Sequence, residues 1–269
     1  MTKPRHDPRW TLAACVLASS LSFVEGSVLN VALPAIRASY SAGAAQVQWV
    51  VNAYLLPLSA LLLLGGALGD HYGRRLLLLI GTSLFAAASL ACALAPSLNL
   101  LLAARALQGV GAALLLPNSL ALLNAAFQGE ERGRAVGIWA AAGAASAAIA
   151  PLIGGWLVDN VGWPSIFYIN LPLAAGAMLL AVLFVDESRD KAAARTDYPG
   201  AALATFGLLG ATFGLTRWSS SASLDPVAIA TIFGGLVMLA LFLWFEARRG
   251  EAAMMPLSMF GDRCSSPTC

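Results

Sequence analysis

Two charged side chains stand where their neighbours leave no water to hold them. Glu25 lies in "LSFVEGSVLNVALPAI" and Arg105 in "LLAARALQGVGAALLLPNS", each with apolar residues on both sides. At the centre of a bilayer such a charge costs about 2.5 to 3.5 kcal/mol on insertion scales, so it must face a bundle interior or a wet cavity. At about 1.5 Å per helical residue, Glu25 is about 20 Å from Leu12, past the midplane of an apolar core about 30 Å thick. Desolvation there disfavours a charged carboxylate, which makes the position a candidate for taking up and releasing protons. That is the chemistry of a proton-coupled carrier; the plainer alternative is a carboxyl that stays neutral and only packs. Arg105 stays charged, so it needs a partner or water, with snorkelling to an interface as its alternative. Gln108 lies one turn further on the same helical face and extends the polar stripe.

Two more stretches stand out. "GGALGDHYGRR" (65–75) packs Asp70, His71, Arg74 and Arg75 into one tight turn among Gly65, Gly66, Gly69 and Gly73. "AIAPLIGGWL" sets Pro151 inside an apolar run, where it removes a backbone donor and bends the helix, while Gly154 and Gly155 admit a neighbouring helix. Neither stretch carries a nucleophile–base pair, and the two histidines, His6 and His71, form no HExxH. An intramembrane enzyme is therefore not expected, nor a metal site. Cys15 and Cys92 fall in apolar runs and read as small hydrophobes, while Cys264 and Cys269 lie in the tail without ligand or disulfide spacing.

The elements that position these residues are set by composition. Of 269 residues 59% are hydrophobic and 11% charged, against about half and a quarter in soluble domains. The deficit of charge runs along the whole chain, so the solvent is lipid; a net charge of +2 gives no reason to expect a nucleic-acid partner. About 20 apolar residues cross a bilayer. Eight segments qualify: Trp10–Ile36, Val47–Gly69, Leu76–Ala95, Leu98–Phe127, Ala135–Val158, Trp163–Val185, Tyr198–Trp218 and Pro226–Phe245. They lack the alternation of a barrel wall. No small-x-small cleavage site comes after the first, so it reads as a retained helix and not a signal peptide. Of the 16 Lys and Arg, 13 fall at the termini and in the even-numbered connections, which puts both termini in the cytoplasm. Trp10, Trp49, Trp163, Trp218 and Trp244 sit near span ends, where amphipathic rings gather.

The same stretches resemble the major facilitator superfamily and, within it, the 14-span drug:proton antiporter group. "GALGDHYGRR" is similar to the family's loop between helices 2 and 3, Gly-x-Leu-x-Asp-x-x-Gly-Arg-Arg/Lys. "RALQGVGAA" (105–113) resembles its helix 4 motif, and "APLIGG" (150–155) its helix 5 antiporter motif, with Ala150 for the first Gly and with Gly137 and Ser146 at earlier small positions. "VEGSVLNVALPAI" (24–36) resembles the helix 1 signature, Glu25 standing at its Asp and Asn30 at its Asn. "GWPSIFYINLP" (162–172) matches the start of helix 6 in part, with Pro164 and Ser165 in place of Arg and Trp.

The resemblance implies an all-α integral membrane protein: a six-helix bundle over 10–185 and two additional central helices over 198–247. A cytoplasmic N-terminus (1–9), a cytoplasmic linker (186–197) and a cytoplasmic tail (248–269) complete it, in the cell membrane. The implied activity is proton-coupled export of hydrophobic or cationic small molecules, driven by the proton gradient with no cofactor. Glu25, Asn30, Arg105 and Gln108 would serve proton coupling and substrate. Gly66, Asp70, Gly73, Arg74 and Arg75 would latch the carrier's halves, and Gly137, Ser146, Ala150, Pro151, Gly154 and Gly155 would form the antiporter helix. Such carriers rock two halves around a midplane site. "MMPLSMFGDR" (254–263) resembles the lead-in to a further helix, and "CSSPTC" after it does not, so the chain reads as the N-terminal portion of a carrier. A non-transporting fragment, or a half that pairs with a separate C-terminal chain, is the competing reading.

Overall fold

The computed structural model describes residues 7–189, 198–220 and 225–249. The described secondary structure is helical: α1 (Pro8–Tyr40), α2 (Ala44–Tyr72), α3 (Arg74–Ala93), α4 (Leu98–Ala126), α5 (Gly129–Asn160), α6 (Ser165–Tyr168), α7 (Asn170–Phe184), α8 (Tyr198–Ser220) and α9 (Pro226–Arg249). Seven spans among the described residues are long and apolar enough to cross a bilayer, α6 and α7 together making one of them, Ser165–Phe184. The expected span Tyr198–Trp218 is helical as α8 but is not one of those seven. The linker's residues 190–197, most of the tail (250–269, including Cys264 and Cys269) and residues 1–6 lie outside the described residues.

Local chemistry sets the helix ends. Asp7 caps α1, its carboxylate accepting from the Arg9 amide at 2.9 Å with Pro8 behind it, and Ser97 caps α4, each satisfying an orphan donor of the first turn. Helix α5 starts at Gly129, six residues before the expected Ala135, because its charged first turn continues the helix with Glu130 and Glu131 toward the positive end of its dipole. The expected span Trp163–Val185 is present as Ser165–Phe184, with Ile169 between α6 and α7 still in right-handed helical conformation and its amide donating to the Ser165 carbonyl at 3.2 Å. Pro172 has no N–H to give the carbonyl four residues back, which frees Tyr168 at the end of α6.

The chain divides into two compact units, Met1–Arg189 and Asp190–Cys269. In the first, α4 is gripped on two sides. A Cβ on Gly109 would stand 2.3 Å from the Tyr54 carbonyl of α2, and one on Gly65 of α2 2.1 Å from the Ala113 carbonyl. On the other side a Cβ on Gly111 would stand 2.7 Å from the Phe85 amide of α3, and one on Gly81 2.8 Å from the Gly111 carbonyl. Only hydrogen fits at these four positions, so backbones touch across both seams, as van der Waals packing between helices in lipid favours. Helix α5 lies on α1 with side chains over its glycines, Phe23 over Gly143 and Val28 over Gly154.

Apolar side chains then form two separate cores. One gathers Ala14, Ala18, Leu21, Leu78, Phe85 and Leu115; the other gathers Val28, Leu29, Val50, Leu101, Ile166 and Phe167. In the second unit α8 and α9 pair through Gly207, Gly214 and Gly235. Asp225 caps α9 by accepting from the Val227 amide at 2.9 Å, and Arg217 donates to its carboxylate.

Candidate functional site

Along each of α1, α3, α4 and the α6–α7 span, one polar stretch separates the residues of the first core from those of the second. On α1 it is Glu25, on α3 Ser89, on α4 Arg105 with Gln108, and on α7 Asn170, all fully or almost fully buried. These five meet in one layer. Arg105 Nη1 donates to Glu25 Oε1, closing a buried ion pair between residues 80 apart in sequence. The same Nη1 lies 2.6 Å from Gln108 Oε1, and Nε donates to the Val50 carbonyl at 3.0 Å. Glu25 Oε2 accepts from Asn170 Nδ2 at 2.8 Å. Ser89 Oγ takes two donors, Gln108 Nε2 at 2.8 Å and Asn170 Nδ2 at 3.3 Å.

Aromatic rings complete the enclosure. The Arg105 guanidinium carbon sits 4.5 Å from the centre of the Tyr54 ring and 5.9 Å from that of Phe167, within reach of attraction to the ring faces. The Tyr54 hydroxyl in turn is hydrogen-bonded to Ser22. A charge pair out of water survives only when its remaining donors and lone pairs are also met, and here both carboxylate oxygens have partners.

Sequence reasoning named Glu25, Arg105 and Gln108 but treated the two charges as separate sites; the structure makes them one. Arg105 is 1% exposed, which rules out snorkelling, because its guanidinium has a carboxylate and two ring faces beside it. Asn30 is not brought into the layer: it is exposed one turn away, and its Nδ2 makes a 3.4 Å contact with the Gly26 carbonyl of its own helix. Ser89, Asn170 and Tyr54 were missed. The signal for Asn170 was present, as the polar residue before a proline's turn in "INLP".

The expected tight turn over 65–75 is instead the end of α2 and the start of α3 joined at Gly73 alone, and this junction is a second polar knot. Asp70 and Arg74 form an i,i+4 pair at 2.7 Å, and Arg74 also reaches Ser188 through its Nη1 at 3.3 Å and its amide at 3.0 Å. The Glu187 carboxylate, missed as part of a charged linker, accepts the amides of Arg75 at 3.0 Å and Leu76 at 3.2 Å and so caps α3. Arg75 Nη2 donates to the Val182 carbonyl at 2.7 Å. Gly73 turns the chain at φ +127°, a backbone conformation that costs other residues dearly, and a Cβ there would strike the Glu187 carboxylate at 2.7 Å. A Cβ on Gly66 would stand 3.5 Å from Pro117, whereas one on Gly69 would overlap Asn118 Oδ1 at 1.6 Å.

On α5, Ala150 and Gly154 are buried against α1, and Pro151 and Ser146 are half-buried. A Cβ on Gly155 would stand 3.6 Å from Val31, ordinary contact, and one on Gly137 would meet nothing within 4 Å. A further small knot ties α5 inward: Trp139 Nε1 donates to Ser19 Oγ at 2.9 Å, which is 2.6 Å from Ser119 Oγ of α4. Among the described residues no group of three or more His, Cys, Asp or Glu could hold a metal ion.

The Major Facilitator Superfamily model matches residues 15–261. The multidrug resistance protein Stp of Mycobacterium tuberculosis is 39% identical over 94% of this chain and 47% of its own length. The puromycin resistance protein pur8 of Streptomyces alboniger is 36% identical over 96% of this chain and 51% of its own length. The cephamycin export protein CmcT of Amycolatopsis lactamdurans is 38% identical over 92% and 52%. The chain thus spans about half the length of the curated relatives it matches. A bacterial homologue of the human lysosomal transporter Spinster, solved inward-facing and occupied, shares the fold with a TM-score of 0.52 at 18% identity, over 91% of this chain and 62% of that one.

Proposed function

Since this chain belongs to the major facilitator superfamily, a family of multi-pass membrane transporters and not of enzymes, we propose that it serves proton-coupled export of hydrophobic or cationic small molecules. The observation that carries this is the buried Glu25–Arg105 pair. A carboxylate held by a permanent cation in a water-poor layer can exchange a proton only by rearranging its partners, and that links protonation to helix packing. Glu25 is the proton site, Arg105 its counter-charge, and Gln108 the group that holds the guanidinium. Asn30, outside the layer, faces substrate.

In this reading the Asp70, Gly73, Arg74 and Arg75 turn, with Gly66, latches one half of the carrier against the other on the cytoplasmic side, and both termini are cytoplasmic in the cell membrane. Residues 10–185 are the six-helix bundle, 186–197 a linker, 198–247 two additional helices, and 1–9 and 248–269 cytoplasmic ends. The proton gradient supplies the energy without a cofactor. The relatives named for resistance or export support the direction of transport.

The test is efflux of a cationic dye from cells expressing the chain, beside a Glu25→Gln variant and an empty vector. Efflux that collapses with the proton gradient and is lost in the variant is expected. Efflux equal to the vector, with the chain present in the membrane, overturns transport by this chain.

A further inference from the structure

Asn170 is fully buried, yet its Oδ1 has no hydrogen-bond partner among the described residues, while its Nδ2 serves both Glu25 Oε2 and Ser89 Oγ. An orphaned acceptor in such a place needs a reason, because unmet buried polar groups cost about 1 to 3 kcal/mol. The chemistry of Glu25 gives one. An ionised carboxylate only accepts, so it requires the amide nitrogen to face it. A protonated carboxyl carries an O–H at that oxygen, and the amide nitrogen then opposes it donor to donor.

A half-turn of the carboxamide about its terminal torsion, a broad and two-fold one, exchanges Oδ1 for Nδ2 at the same place. The amide oxygen would then stand where it can accept the Glu25 hydrogen and the Ser89 hydroxyl hydrogen together, and the two amide hydrogens would take the unpartnered place of Oδ1, so the turned state is held only while Glu25 is protonated. Arg105 remains on Oε1 throughout, as a donor to a carboxylate oxygen in one state and to a carbonyl oxygen in the other.

We propose that Asn170 is the positioning residue that reads the Glu25 proton: its amide nitrogen holds the carboxylate, and its amide oxygen accepts the carboxyl hydrogen after the side chain turns over. The proton binds at Oε2 and no other bond is made or broken. This role of Asn170 rests on the reading of Glu25 as the proton site. Its place in the chain gives it a consequence, since Asn170 lies in the turn before Pro172, where the Tyr168 carbonyl lacks the bond that Pro172 cannot give. The ionisable groups that face Glu25 are Arg105 from α4, Tyr54 from α2 and Cys92 from α3; α6 and α7 present neutral Phe167 and Asn170.

Infrared difference spectroscopy on the purified chain in lipid, with carbonyl-labelled asparagine, reads both partners during acidification. Appearance of a protonated-carboxyl stretch that is absent in Glu25→Gln marks Glu25 taking a proton. With it, the labelled Asn170 carbonyl, identified by subtracting the Asn170→Ser spectrum, is expected to fall in frequency as it gains a hydrogen bond. That response should vanish in Glu25→Gln and shrink in Ser89→Ala, which removes the second hydrogen and keeps the fold measurable if Asn170→Ser fails to insert. A carboxyl band that titrates while the Asn170 carbonyl stays fixed overturns the inference and leaves the proton site standing. Absence of the carboxyl band overturns both.

Discussion

Arg105 spends its donors on protein: Glu25, Gln108 and the Val50 carbonyl, with Tyr54 and Phe167 against its plane. Removing one member of a buried pair strands the other, at about 3 to 5 kcal/mol. Arg105→Met should therefore lower the stability of the detergent-solubilised chain by about that much in thermal unfolding. Adding Glu25→Gln to it should restore most of the loss, because no uncompensated charge is left. Arg105→Lys should behave nearer to Met than to Arg, since a compact ammonium has no planar fork to span three acceptors. That the two charges belong together was not legible in the sequence, where 80 residues and the whole of α2 and α3 separate them. Each was visible alone because a charge in an apolar run is conspicuous. Ser89 and Tyr54 were not, because neutral polar residues in lipid-spanning runs are common and cheap, and Asn170 showed only as the polar residue before Pro172 in "INLP".

At the scale of the helices, glycine has two meanings that a motif does not distinguish. Gly111→Ala drives a methyl into the α3 backbone and should impair insertion or cut stability by several kcal/mol. Gly137→Ala meets open space and should be neutral or gain up to about 1 kcal/mol from helix propensity; side-by-side melting curves separate the two. Glu187 caps α3 from beyond the end of α7, and Glu187→Ala should cost about 1 kcal/mol by the same assay. In the second unit the hydrogen bond from Arg217 holds the Asp225 carboxyl below its ordinary value, with the Val227 amide assisting. A carboxyl lowered on folding stabilises above its unfolded value and loses that support as pH falls through the lowered one. Amide exchange at Val227 should accordingly quicken at the acid end of the carboxylate range, and do so at all pH values in Asp225→Asn. The helices themselves were read well from hydropathy, but the missing bond at the Tyr168 carbonyl was not, because an apolar average hides a single proline's missing donor.

Across the molecule, composition disclosed a lipid-embedded helical chain and the spacing of short motifs disclosed its family, while the polar layer between two apolar cores needed coordinates. Hydropathy reports how much apolar surface a helix has and not which residues on different helices share a height. The seams of helix α4 carry a consequence for the lineage. Four positions along them, Gly65, Gly81, Gly109 and Gly111, admit hydrogen alone, so mutation has almost no freedom there. Heritable change in such a protein is channelled away from its central helix toward exposed positions outside the motifs, such as Leu179 and Leu183 of α7, which are 60% and 51% exposed. A saturation-mutagenesis survey would see this as an immovable spine with permissive flanks, and selection for new behaviour would have to write its record on the flanks.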